Sequence, residues 1–235
     1  MKNIEKVISL VLALTLFAAC SATPVKPTSS SLDTPPASST SVAPEPSPSE
    51  IPPAKTELPR GTFENDLFYN ESTSIRIQLG GTWVTASDEE FANAMGIGKE
   101  MLTDDFKKLV DAMPENSAIY DAIFTDIASG SNISVTYLKI NGLAGAQALT
   151  ADIYVDAQAE LLTKALSEGM EVVAGEKFEQ ELCNETYAAL PLTTSYQGLT
   201  FEQIICARKQ DGYIVQLTLT AGLDVEMEEL LDMFV

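Results

Sequence analysis

Histidine is absent from all 235 residues. Its absence removes the commonest general base, the commonest zinc ligand and every Ser-His or Cys-His arrangement for nucleophilic catalysis. Basic side chains are scarce too: 14 Lys+Arg against 34 Asp+Glu leave a net charge of −20. So acidic a surface repels phosphate backbones and anionic headgroups, which excludes nucleic acid as a partner. No Asp-x-Asp-x-Asp-Gly calcium loop occurs. The acidic groups that do cluster read as solubility and as helix faces. Asp104-Asp105 sits at a helix start, and Glu226, Glu228 and Glu229 line the wet side of a terminal helix. No catalytic residue, cofactor motif or metal-ligand set can be named.

Proline is rare wherever the chain carries a hydrophobic pattern. Ten of the twelve prolines fall in residues 21–60, among Ser, Thr and Ala with hardly a large apolar residue. Such a stretch cannot build a core and reads as a disordered linker. Fully extended at about 3.1 Å per residue, it would reach roughly 120 Å.

Ahead of it, Lys2 and Lys6 precede an apolar run from Val7 to Ala19, interrupted only by Ser9 and Thr15. The run is too short to span a bilayer comfortably and suits a signal peptide. It ends Leu16-Phe17-Ala18-Ala19-Cys20, which resembles the lipobox of secreted bacterial lipoproteins. That resemblance implies cleavage before Cys20, lipid attachment to its thiol, and a location on the outer side of the cell membrane. Two acyl chains, at about 0.8 kcal/mol per buried methylene, suffice to hold a soluble domain there.

Residues 61–235 are expected to form a single domain. Ser74–Leu79 alternates as a strand, Gly80-Gly81 turns, and Thr82–Ala86 continues as a second strand around Trp83. Ser87-Asp88-Glu89-Glu90 is a capping box that starts a short helix. Thr103 caps a second helix, with Phe106, Leu109, Val110 and Met113 on one stripe. Residues 117–127 and 132–140 read as a hairpin pairing 127 with 132. That pairing puts Ala122, Phe124, Val135 and Tyr137 on one face. Asp121, Thr125, Ser134 and Thr136 fall on the other, with Ile119, Ile123 and Leu138 among them.

Asp152–Leu166 is the longest helix, with Ile153, Tyr154, Ala157, Leu161, Leu162, Ala165 and Leu166 as its apolar face. Strands at about 170–180, 185–196, 199–209 and 213–220 follow, joined by tight turns at Gln197-Gly198 and Asp211-Gly212. A last helix runs from Asp224 to Phe234. Pairing 196 with 199 sets Cys206 opposite Ala189, and Cys183 then lies roughly 20 Å along the neighbouring strand. The two thiols are therefore expected to stay free.

This order gives an α+β fold, an antiparallel β-sheet flanked by helices. It resembles the Mog1/PsbP-like α/β/α sandwich. The resemblance rests on Ile75-Arg76-Ile77-Gln78-Leu79 leading to Trp83, on Ser87-Asp88-Glu89-Glu90, on Gly130-Ser131-Asn132-Ile133, and on Gly212-Tyr213-Ile214-Val215. Members of that family mostly bind or assemble other proteins. The resemblance thus implies a binding or accessory role, with a protein or small ligand of unspecified identity. The ligand face expected from the residues is Asp121, Thr125, Ser134 and Thr136, because a carboxylate between Ile119 and Ile123 is unusual on a covered sheet. The alternative is a cell-envelope hydrolase, which needs two carboxylates facing each other across a cleft.

Overall fold

The structure, a computed structural model, describes residues 59–95, 118–140, 145–164, 170–196 and 198–235. The leader with Cys20, the linker up to residue 58, the expected helix at 103–113 with Asp104-Asp105, and Ala165-Leu166 lie outside the described residues.

Two antiparallel sheets carry the fold. β1 (Thr62–Glu64), β2 (Leu67–Asn70) and β3 (Ile75–Gln78) form a small sheet in that order. The large sheet contains β4 (Trp83–Thr85), β5 (Ala118–Asp126), β6 (Asn132–Lys139), β7 (Met170–Ala174), β8 (Phe178–Leu182), β9 (Glu185–Tyr196), β10 (Leu199–Gln210) and β11 (Tyr213–Thr220). Its order is β4-β5-β6-β11-β10-β9-β7, with β8 also paired to β9. Three helices, α1 (Asp88–Met95), α2 (Ala151–Lys164) and α3 (Met227–Leu231), complete the described elements.

Alternation along the strands sorts their side chains onto two faces. The front face of the large sheet buries Ile133, Val135, Val215, Leu217 and Leu219 against Phe68 and Ile77 of the small sheet and Met227 and Leu230 of α3. The back face buries Leu190, Ile205, Ala207 and Ile214 against Tyr154, Val155 and Leu162 of α2, while Tyr120 and Ile123 meet Phe91 and Ala94 of α1. The protein is thus an α+β sandwich built on an antiparallel sheet, as the sequence pattern indicates.

The meander keeps its expected register: Tyr196 pairs with Leu199, and Cys206 with Ala189. Asp211 and Gly212 both take positive φ, 45° and 85°, as a two-residue turn between twisted strands requires. Both Cys183 and Cys206 are free. Burial pushes the Cys206 thiol up to about 12, so it is an inert core residue.

β3 pairs with β2, and Trp83 pairs with Asp126. Gly80-Gly81 therefore carries the chain from one sheet to the other. The hairpin register is shifted by two residues from the expected one, with Thr125 opposite Asn132. The cause is Asp126, whose carboxylate accepts the Ser129 hydroxyl at 2.6 Å and the Ala128 and Ser129 amides at 3.2 Å, closing a longer turn.

On α2 the buried stripe is Tyr154, Val155, Gln158 and Leu162, while Ile153 and Ala157 face outward. The single strand expected at 170–180 is two, β7 and β8, both laid along β9. The last helix is short because Asp224 sits in the left-handed region at φ 59° and Glu226 is the N-cap, with the Glu229 carboxylate accepting its amide at 3.3 Å. Residues beyond it return to extended form beside β3, Ile77 bridging to Phe234.

Candidate ligand-binding site

β4 is only three residues long and pairs with β5 over Phe124–Asp126. Among the described residues no strand continues that pairing toward Ala118. In this open stretch the β5–β6 register slips between Tyr120 and Ala122, leaving Asp121 as an extra residue. Such a bulge re-aims a side chain at a sheet edge. Ile119 and Ala122 both enter the front core here, while Tyr120 and Ile123 turn to the back. Asp121 turns to the front.

Its carboxylate is 2 % exposed, yet among the described residues every donor that meets it is neutral. Tyr137 Oη donates to Oδ2 at 2.6 Å, and Asn70 Nδ2 to the same oxygen at 2.9 Å. The Gly61 amide donates to Oδ1 at 2.7 Å. Asn70 also donates to the Pro59 carbonyl at 2.9 Å, and its own Oδ1 accepts the Ser72 amide and hydroxyl. Burial pushes the Asp121 carboxyl above its ordinary value, opposed by the hydrogen bonds from Tyr137, Gly61 and Asn70 and by the charge of Arg60. Burial and the adjacent Asp121 charge hold Tyr137 well above the usual phenol range, so it stays a donor.

The end of the Pro-rich stretch crosses this edge. Arg60 Nε donates to the Asp121 carbonyl at 3.4 Å, and its guanidinium lies 4.7 Å from the centre of the Phe91 ring. Gly61 runs so close to Phe68 that a Cβ at this position would collide with the ring.

Beside these residues opens a cavity of about 330 Å³, lined by Arg60, Gly61, Thr62, Phe63, Phe68, Thr85, Phe91, Asp121, Ala122 and Phe124. Phe124 stacks obliquely on Phe63 and edge-on to Phe68, both at 5.4 Å between ring centres. A pocket of this size, with four phenylalanines beside one carboxylate and one guanidinium, suits a small ligand or a single side chain. Among the described residues Asp121 is the one carboxylate in the lining.

The structure separates the four residues expected to share a face. Asp121 lies in the front pocket. Thr125, Ser134 and Thr136 remain on the back, because the bulge reverses the alternation only from Asp121 toward the start of β5, which also brings Ile119 to the front. There they join a buried polar belt: Thr136 pairs with Gln216, Ser134 with Thr218, and Asn132 with Thr220. Tyr154 Oη donates to Gln216 Oε1 at 2.6 Å, Gln216 Nε2 to Thr218 at 2.9 Å, and Gln203 Nε2 to Thr220 at 2.9 Å. The alternation Gln216-x-Thr218-x-Thr220 was the available signal for this belt. Arg60, Phe63, Phe68 and Phe91 carried none, since no local pattern joins 60–68 to 91 and 121. Among the described residues no group of three potential metal ligands occurs, and no helix is long and apolar enough to cross a membrane.

No protein-family model matches the chain. No curated protein matches it. Among solved structures it is similar to the cyanobacterial PsbP (CyanoP) of Synechocystis sp. PCC 6803, 10% identical over 73% of this chain and 85% of that one, with a TM-score of 0.43. It is also similar to LpqN of Mycobacterium tuberculosis, a protein involved in cell envelope biogenesis, 15% identical over 67% and 76% of the two chains, with a TM-score of 0.34.

Proposed function

We propose that this protein is a lipid-anchored, extracytoplasmic binding or accessory module, with a PsbP-like domain carried outward from the membrane on its Pro-rich stretch. The observation that carries the binding role is the aromatic pocket beside Asp121. A carboxylate removed from water and met only by neutral donors costs several kcal/mol. It lies next to a cavity at the sheet edge, where a ligand gains both apolar burial and charge contact. The anchor rests on the leader and on Cys20, whose thiol would take the lipid.

Both halves are open to test on protein isolated from cells. Mass spectrometry should find Cys20 as the first residue, bearing a diacylglyceryl group; an intact leader or an unmodified terminus sinks the anchor. Thr85 lines the pocket and is exposed, so Thr85→Trp fills the mouth without disturbing the core. Molecules retained by the wild-type chain should be lost by Thr85→Trp. An identical retained set for both chains rejects the pocket.

A further inference from the structure

We propose that the pocket beside Asp121 takes a guanidinium or alkylammonium group, and that Arg60 is the chain's own occupant of its outer part. This rests on the reading of the pocket as a ligand site, and it adds the ligand's chemical class.

The walls come first. Aromatic faces attract cations through their quadrupoles, and the attraction grows where water is excluded. Phe63, Phe68, Phe91 and Phe124 all line the cavity. The floor is the second element. Asp121 brings a charge whose donors, Tyr137, Asn70 and Gly61, are all neutral. Its Oδ1 accepts one hydrogen bond there and retains capacity for a second. A cation entering from the cavity side supplies the charge that these donors do not.

Third, a guanidinium already fits at the rim. Arg60 lies over Phe91 at 4.7 Å and donates Nε to the Asp121 carbonyl, which leaves the carboxylate itself without a direct ionic contact from it. Beyond Arg60 the remaining space of about 330 Å³ is ample for a second alkyl-guanidinium or alkylammonium stem. Finally, the net charge of −20 draws cationic partners toward the whole surface. A basic side chain on a partner protein would meet all four conditions. A free amine would meet them equally.

The test uses the full chain in detergent, titrated calorimetrically with acetyl-arginine amide and with acetyl-citrulline amide, its uncharged isostere. The arginine probe should bind at least tenfold more tightly than the citrulline probe. Arg60→Ala, which clears the rim, should tighten the arginine probe by about tenfold, the weight of the contacts that Arg60 surrenders. Phe91→Leu keeps an apolar wall but removes a ring, and should weaken that probe by about threefold while leaving the citrulline probe unchanged. Asp121→Asn should abolish the preference for charge.

Equal binding of the two probes overturns the inference and leaves the pocket a shape-selective site. Weaker binding of the arginine probe to Arg60→Ala also overturns it, because Arg60 would then be part of the pocket wall and not its occupant. Failure of both probes and of benzyl alcohol to bind any of the chains removes the pocket itself.

Discussion

Buried Asp121 and half-buried Arg208 grip the same turn, and they are neutralised differently. Asp121 on β5 holds Asn70, where β2 ends. Arg208 on β10 holds the other flank, donating Nη2 to the Thr73 carbonyl, while Gln210 beside it donates to the Ser72 carbonyl at 2.6 Å. Arg208 has an ionic partner in Glu185, 3.6 Å away, and lies over the Tyr187 ring at 5.3 Å. Its charge is answered inside the fold. Asp121 is met by three neutral donors and borders a cavity. Structural ties look like Arg208. A charge left to be completed from outside looks like Asp121.

The sharpest way to break this contrast is to remove each charge. Asp121→Ala takes the acceptor from the Tyr137 hydroxyl and the Gly61 amide, at about 1–3 kcal/mol for each unmet donor, while Asn70 Nδ2 keeps the Pro59 carbonyl and Tyr137 Oη. We expect a loss of about 3 kcal/mol in urea unfolding. Arg208→Ala strands one carbonyl and loses stacking, but the Glu185 left behind is 41 % exposed and rehydrates. Its cost should be about 2 kcal/mol. A larger loss for Arg208→Ala would reverse the assignment of which charge is bound more tightly into the fold.

Proton linkage sharpens the contrast. Burial raises the Asp121 carboxyl in the folded state above its ordinary 3.8. Between 3.8 and the raised value the folded chain holds more protons than the unfolded one. Stability from this group therefore falls as pH rises through that window, opposite in sign to a carboxylate whose value is depressed. The stability of wild type relative to Asp121→Asn should decline from pH 3.8 upward and level off above the raised value. A difference that instead rises with pH in that window would mean that Asp121 is compensated as fully as Arg208.

How much of this was legible beforehand follows from the range of each signal. Tyr196 opposite Leu199 and Cys206 opposite Ala189 are set by short turns and period-two alternation, both local in sequence. The α+β sandwich follows from those same local patterns. The bulge at Asp121 is not local: it arises because Asn70 and Gly61, from 51 and 60 residues away, supply the donors. Asp121 drew attention as a carboxylate among isoleucines, but its face was misassigned because alternation has no room for an extra residue. Arg60 looked like the end of a linker, and only the fold lays it over Phe91.

A smaller effect probes the crossing itself. Gly61→Ala forces a methyl group against the Phe68 ring, and the ring must shift toward Phe124 or the chain must lift from Asp121. Overpacking of this kind costs about 1–3 kcal/mol, and we expect about 1.5. Because the Gly61 amide is one of the Asp121 donors, this variant should also steepen the pH dependence, whereas Arg208→Ala should not. Unfolding curves at two pH values measure both.

The smallest effect belongs to an ionic contact outside this scheme. Lys177, in the connection between β7 and β8, pairs with Asp156 of α2 at 2.8 Å, with 32 % and 62 % of their side chains exposed. Water already screens both charges, and two long side chains lose freedom in meeting. Lys177→Ala should therefore change unfolding by about 0.5 kcal/mol or less, and raised salt should erase even that. If Lys177→Ala instead costs as much as Arg208→Ala, proximity of opposite charges rather than burial would govern stability in this fold. The distinction between Arg208 and Asp121 would then have to rest on the cavity alone.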